Sequence, residues 1–229
     1  MVPVPAVRAA PGPPGGGARG ATLGDGVTCW SCKADAPEGT VSCPSCRKLQ
    51  PVGRGEDYFS LLGLPREFTL EPAELERRFR ERSRLLHPDR FARAEPRERR
   101  LSLDHATRLN DAYRYLRDWR LRAAYLLKLA GTDVFVEGRT FADPDFLEEQ
   151  LEWREGLALA QADGDAERLR RIAADARERL LKLEAEVARR FADERWYSDF
   201  PVDIARRLSR ARYYDNIVAD AERASAAYA

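Results

Sequence analysis

From Tyr58 onward the hydrophobic positions recur at helical spacing. In "DYFSLLGLP", Asp57 caps a short helix carrying Tyr58, Phe59, Leu61 and Leu62, and Gly63 and Pro65 end it. Pro72 suits the first position of the next helix. At about 100° per residue, Leu75, Phe79 and Leu86 share one face of that helix, and Arg77, Arg80 and Arg84 form a cationic stripe nearly opposite. Arg82 falls on the apolar side and has to carry its charge outward along its stem. In "RLLHPDRF", Pro88 disfavours helical geometry at His87, so the helix ends in a stiff corner. A returning helix is predicted over roughly Pro96–Leu116, with Leu103, Ala106, Leu109 or Asn110, Tyr113 and Leu116 recurring at helical spacing. Helix, corner and returning helix make an antiparallel hairpin.

The helical pattern continues through "LRAAYLLKLAG", residues 121–131, and breaks in "VFVEGRTFADPDF". Three further segments follow, roughly Pro144–Ala162, Asp165–Phe191 and Val202–Ala224. Their apolar positions are Phe146, Leu147, Leu151 and Leu157, then Leu169, Ile172, Ala176, Leu180, Leu183 and Val187, then Ile204, Ala205, Leu208 and Ile217. With Gly164 ending one helix and Asp165 capping the next, they read as an antiparallel three-helix bundle. The fold class is therefore all-α, preceded by a small module of another kind.

That module holds the four cysteines, Cys29, Cys32, Cys43 and Cys46, as two C-x2-C pairs separated by ten residues. Two such pairs form two knuckles of a tetrathiolate site, for which zinc is well suited. With all four positions filled, such a site is structural, not catalytic. Redox-active thiols, iron–sulfur ligation and disulfides are the alternatives. The first 28 residues are rich in Pro, Gly and Ala and are expected to form a disordered tail with no secretory signal. A net charge of +1 gives no global basic field for nucleic acid, and no apolar run approaches the roughly 18 residues of a membrane span.

His87 and Asp89 have the chemistry of an acid/base pair, but no nucleophile, phosphate cradle or third polar partner accompanies them. The ordered set "DYFSLLGLP", the basic helix, "LLHPDRF" and "LNDAYRYLRD" instead resembles a J domain, the module that docks on heat-shock ATPase chaperones of the DnaK type. The resemblance implies that His87, Pro88 and Asp89 contact the chaperone and trigger its ATPase, with Arg77, Arg80 and Arg84 as docking residues. Arg82 departs from the pattern, since J domains usually bury an aliphatic residue there.

From Cys29 onward the chain resembles the HscB family of iron–sulfur cluster co-chaperones, most clearly in "DYFSLLGL", "HPD", "RAAYLLKLAG" and "DFLEEQLEWREGL". The paired CxxC unit is similar to the family form with an N-terminal zinc module. The resemblance implies a co-chaperone, not an enzyme, that binds an iron–sulfur scaffold protein through Leu147, Leu151, Glu152 and Glu155, with Tyr213 near the family's aromatic position. Leu147 and Leu151 have a plainer alternative as core residues. The expected limits are a tail at 1–28, the zinc module at 29–50, a J domain with connecting helix at 55–131, and a scaffold-binding bundle at 143–226. Other clients for the J domain, or a zinc ribbon on nucleic acid, are the alternatives. The ribbon offers only Lys33, Arg47 and Lys48 with Trp30, against Asp35 and Glu38. The expected location is the bacterial cytoplasm, or else the mitochondrial matrix.

Overall fold

The computed structural model describes residues 26–37, 39–53, 56–134 and 143–228, and these form two compact units that divide between Leu121 and Arg122. In the first unit, β1 (Gly26–Thr28) pairs antiparallel with β2 (Asp35–Pro37), Gly26 opposite Pro37 and Thr28 opposite Asp35. Gly26–Thr28, which composition places in the tail, are paired with the strand that follows the first two cysteines. Gly26–Thr28 belong to the cysteine module, because strand pairing uses main-chain groups that composition does not reveal. The rest of the expected tail, residues 1–25, lies outside the described residues.

Helix α1 (Tyr58–Leu62) forms where the sequence places it. Ser60 N donates to Asp57 Oδ1 at 2.8 Å, and Asp57 N donates to Ser60 Oγ at 3.0 Å, so two otherwise unpaired amides are satisfied. Gly63 closes the helix at φ 67°, a conformation that costs glycine little. Helices α2 (Pro72–Leu86) and α3 (Pro96–Arg117) form the antiparallel hairpin. Phe79 stacks on Tyr113 at 4.3 Å midway along α2, and Ser102 Oγ donates to the Leu86 carbonyl at 2.9 Å near the corner. Phe59, Leu61, Leu62, Leu75, Leu86, Leu109, Ala112 and Leu116 are its buried core. Arg82 is half-buried, and its Nη2 reaches to within 3.6 Å of where a Cβ on Gly63 would stand.

The inner face of α3 is the expected one at Leu109, Tyr113 and Leu116 and differs toward the start of the helix. Leu103 is 55% exposed, while Glu98, Ser102 and His105 are buried in line with Leu109, Ala112 and Leu116. Three polar residues hold the inner positions near the start of this helix, which hydrophobic spacing alone cannot reveal.

Helix α4 (Trp119–Leu129) spans the division between the units. In the second unit, a 3-10 turn (Pro144–Phe146) leads into α5 (Leu147–Ala162). Asp165 accepts from Arg168 N at 2.9 Å and caps α6 (Ala166–Phe191), as the sequence predicts. A one-turn helix α7 (Trp196–Asp199) precedes α8 (Pro201–Ala227), which is longer at both ends than expected. Ion pairs Arg190–Asp203, Arg207–Glu186 and Arg177–Glu222 run along α6 and α8 in opposite senses, so the two helices are antiparallel.

The start of α5 is tied to α8 by aromatic and charged groups. Phe146 is buried, edge-on to Tyr213 at 5.4 Å and to Tyr214 at 5.5 Å. Arg210 grips Asp143 with two bonds, at 2.5 and 2.9 Å, and holds that carboxyl below the usual aspartate range. A carboxylate with a depressed folded value contributes stability that is present above its ordinary value near 4 and lost as pH falls through the folded value. Asp143→Asn is therefore expected to lower the urea midpoint at pH 7. The gap from wild type should narrow progressively as the solution is acidified below about pH 4. A gap independent of pH would show that the ion pair carries none of this stability.

Candidate functional site

The four cysteines sit on two matching turns. Lys33 N donates to the Cys29 carbonyl at 3.1 Å, and Arg47 N donates to the Cys43 carbonyl at 2.8 Å. Cys29 N closes onto Ala34 O at 2.9 Å, and Cys43 N onto Lys48 O at 2.9 Å. Each turn passes through a left-handed residue directly after its second cysteine, Lys33 at φ 64° and Arg47 at φ 61°. Non-glycine residues are uncommon there, and the repetition in both turns marks an imposed geometry.

All four Sγ atoms lie within 4.8 Å of one another. Cys29–Cys46 and Cys32–Cys43 are each separated by 3.7 Å, far beyond the roughly 2.0 Å of a disulfide bond. A tetrahedral metal with sulfur ligands near 2.3 Å would set its sulfurs about 3.8 Å apart, so the donor set fits such an ion. Burial acts to raise the Cys29 thiol, but amide hydrogens of Cys32 and Ser31 and neighbouring thiols draw it down to about 6. Cys32 has a backbone bond at Ala34 acting downward, yet its fellow thiols and burial push it up to about 12. One thiolate is favoured and the next resisted, as expected of crowded sulfurs that need a cation to ionise together.

The His87–Asp89 corner stands in the solvent. Pro88–Phe91 form a 3-10 turn after the last residue of α2. Asp89 N donates to His87 Nδ1 at 3.3 Å, which fixes the ring, and the Asp89 side chain is 91% exposed. The His87 and Asp89 side chains approach to 3.5 Å, but both are open to water and no enclosed site surrounds them. The arrangement presents a charge on a rigid turn. The cationic stripe is less bare than expected. Arg77 binds Glu74 and Glu81, and Arg80 binds Glu76, whereas Arg84 is exposed with no ion pair among the described residues. The Glu74 carboxyl is drawn to about 2, first by its bond from Arg77.

In the second unit, α5 turns Leu147 and Leu151 outward, 60% and 68% exposed. They are not core residues. Arg154 and Ala158 continue the same face, and Glu152 and Glu155 stand exposed beside it. Tyr213 of α8 donates its hydroxyl to the Gln150 carbonyl at 2.7 Å, and burial raises the phenol above its ordinary value. With Arg154, Ala158, Asn216 and Arg223 it lines a groove of about 300 Å³ between α5 and α8. Leu147, Leu151, Glu152 and Glu155 thus lie on the exposed side of α5, while Tyr213 packs against Phe146 and Gln150 on the α8 side.

Sequence reasoning missed the polar seam that joins the cysteine module to α3. Lys48 Nζ meets Glu98 Oε2 at 2.6 Å, Leu49 N donates to Glu98 Oε1 at 3.3 Å, and His105 Nε2 meets the Gln50 carbonyl at 2.7 Å. Residues of ordinary surface type, far apart in sequence, leave no local signal of such a contact.

The family model described as the HSCB C-terminal oligomerisation domain matches residues 142–222. The "Co-chaperone protein HscB homolog" of Bordetella pertussis is 49% identical over 108 residues, 47% of this chain and 64% of that protein. The protein of the same description from Azoarcus sp. is 40% identical over 133 residues, 58% of this chain and 75% of that protein. The crystal structure of human co-chaperone protein HscB superposes with a TM-score of 0.76 at 30% identity, covering 86% of this chain and 97% of that one. With the Bordetella protein, the matched region spans just under two thirds of the relative's length.

Because both leucines already face water, Leu147→Ala with Leu151→Ala should shift unfolding by less than about 1 kcal/mol in total. Urea unfolding followed by circular dichroism checks this. A loss of about 2–5 kcal/mol per leucine would return them to the core.

Proposed function

The chain belongs to the HscB co-chaperone family, and from that premise we propose that it binds an iron–sulfur cluster scaffold protein, delivers it to a DnaK-type heat-shock chaperone and stimulates that chaperone's ATPase. The observation that carries this reading is the pairing of two exposed, rigidly held surfaces. One unit offers the His87-Pro88-Asp89 corner, and the other offers the Leu147/Leu151 stripe.

Each surface suits its role. Pro88 holds the Asp89 carboxylate where a cationic site on the chaperone can meet it, and Arg84 adds an exposed charge one turn earlier for an acidic one. Arg77 and Arg80 must exchange their glutamates for groups on the partner, so they contribute less net affinity than bare arginines would. On α5, the leucines supply apolar area for the scaffold, while Glu152 and Glu155 steer it electrostatically. Tyr213 adds a half-buried aromatic edge, fixed by its bond to Gln150. The ATPase chemistry belongs to the chaperone.

The four thiols hold zinc on this reading. Zinc supplies a cross-link between two turns that have little apolar core of their own, and no step of the co-chaperone cycle passes through it. Cys29 and Cys32 bind from the first turn, Cys43 and Cys46 from the second. The relatives from Bordetella and Azoarcus are bacterial, which favours the bacterial over the mitochondrial reading of its location.

Two variants separate the surfaces. Asp89→Asn should fold and bind scaffold as wild type does but fail to raise the chaperone's single-turnover ATPase rate. Leu147→Ala with Leu151→Ala should lose scaffold affinity by roughly a hundredfold or more, with stimulation intact when scaffold is absent. If Asp89→Asn stimulates normally, or the alanine pair binds scaffold unchanged, the corresponding assignment is wrong. Metal analysis of the purified chain should find one zinc per molecule. A different metal, or none, removes the zinc assignment while leaving both docking surfaces standing.

A further inference from the structure

The seam between the cysteine module and α3 is built largely from buried polar groups, and its hydrogen-bonding residues on the module side, Lys48, Leu49 and Gln50, lie just past the last ligand. Glu98 is 5% exposed and receives both Lys48 Nζ and the Leu49 amide. His105 is 1% exposed. A carbonyl can only accept, so His105 Nε2 carries the proton it shares with Gln50 O, at 2.7 Å. Gln50 is itself buried, and its Nε2 donates to Cys29 Sγ at 3.3 Å and to Lys48 O at 2.9 Å. Trp30 Nε1 donates to Leu49 O at 2.6 Å, and the Arg97 guanidinium lies 4.7 Å above the Trp30 ring. Thus Lys48, Leu49 and Gln50 face α3 on one side and are held by the cysteine turns on the other.

The same stretch of α3 holds the end of α2. Ser102 lies between Glu98 and His105 at helical spacing and is fully buried. Its hydroxyl donates to the Leu86 carbonyl at 2.9 Å, and Leu86 is the residue before His87. A continuous set of contacts therefore runs from Cys29 through Gln50 and His105, and from Lys48 and Leu49 through Glu98, to the root of the corner. The module cannot sustain its side of the seam by apolar packing. Its buried residues are Cys29, Ala36, Cys43, Leu49 and Gln50, and two of those are metal-binding thiols.

We propose that metal at the four cysteines fixes the first half of α3, and through it the His87–Asp89 corner, with Glu98 and His105 as the positioning residues that couple them. The inference rests on the reading that these cysteines hold zinc. The module is then a clamp on the chaperone-docking hairpin. Loss of the metal frees Lys48–Gln50, leaves Glu98 and His105 to water, and loosens the turn that Ser102 anchors.

Hydrogen–deuterium exchange on the full chain tests this, with zinc content measured on the same samples before and after chelation. Removing zinc should speed exchange about tenfold or more in peptides covering 84–91 and 96–106. Peptides from α6 and α8 should be unchanged. Glu98→Gln, which alters no thiol, should keep its zinc and yet exchange faster over 96–106, and chelation should then add much less than in wild type. Zinc loss with unchanged exchange over 96–106 overturns the coupling while leaving the zinc reading intact. Full additivity of Glu98→Gln and chelation also overturns it, because independent effects share no path. A chain purified without zinc fails at the earlier reading and takes this inference with it.

Discussion

Proline at position 88 has no amide hydrogen to donate and a nearly fixed φ, and much of the first unit follows from that. Helix α2 must stop at Leu86, and the chain must turn at once. The 3-10 turn through Phe91 sends α3 back along α2, so that Phe79 meets Tyr113 and Ser102 meets the Leu86 carbonyl. A helix end normally leaves carbonyls without intrahelical partners. Here one of them is satisfied from across the hairpin. The corner is consequently rigid at its root and exposed at its tip, a combination that a flexible loop does not provide.

The two units reach order by different means. The second is a helical bundle whose buried apolar stripe is supplemented by ion pairs along α6 and α8 and by the Phe146, Tyr213 and Tyr214 cluster. The first joins a helical hairpin with an apolar core to a module that has few apolar residues of its own and faces α3 through hydrogen bonds. An ion pair with one buried member, such as half-buried Lys48 with buried Glu98, is weak evidence of stability, since desolvation offsets attraction. Its geometric requirement is strict, however, and it specifies how the module seats on α3.

What the sequence disclosed was whatever depends on local constraint. Asp57, Gly63, Pro72, Pro88, Gly164 and Asp165 announce helix ends by their own backbone and side-chain chemistry, and those ends are found where they fall. The cysteine spacing likewise announces a four-thiol cluster. The first half of the α3 inner face is not legible because Glu98, Ser102 and His105 are polar by type and buried only by what covers or faces them, whereas Leu109 and Leu116 are buried as their spacing predicts. The cationic stripe is partly neutralised by Glu74, Glu76 and Glu81, which stand at helical spacing from Arg77 and Arg80. Strand β1 was hidden inside a composition shared with the segment before it. Tyr213 was singled out only through family resemblance, since its place beside α5 depends on how the helices pack.

The leucine stripe of α5 stands on a helix whose first turn is fastened by Phe146 behind it and by Asp143 to Arg210 beside it. Leu147 and Leu151 need no folding step to become available, and their side chains lose only rotamer freedom on contact. Whatever conformational entropy the encounter consumes must therefore come mainly from the other molecule. A partner segment that arrives as a flexible chain would bind this stripe more weakly than one already shaped to it. On the proposed reading, such a helix would select among partners by their stiffness as well as by their chemistry.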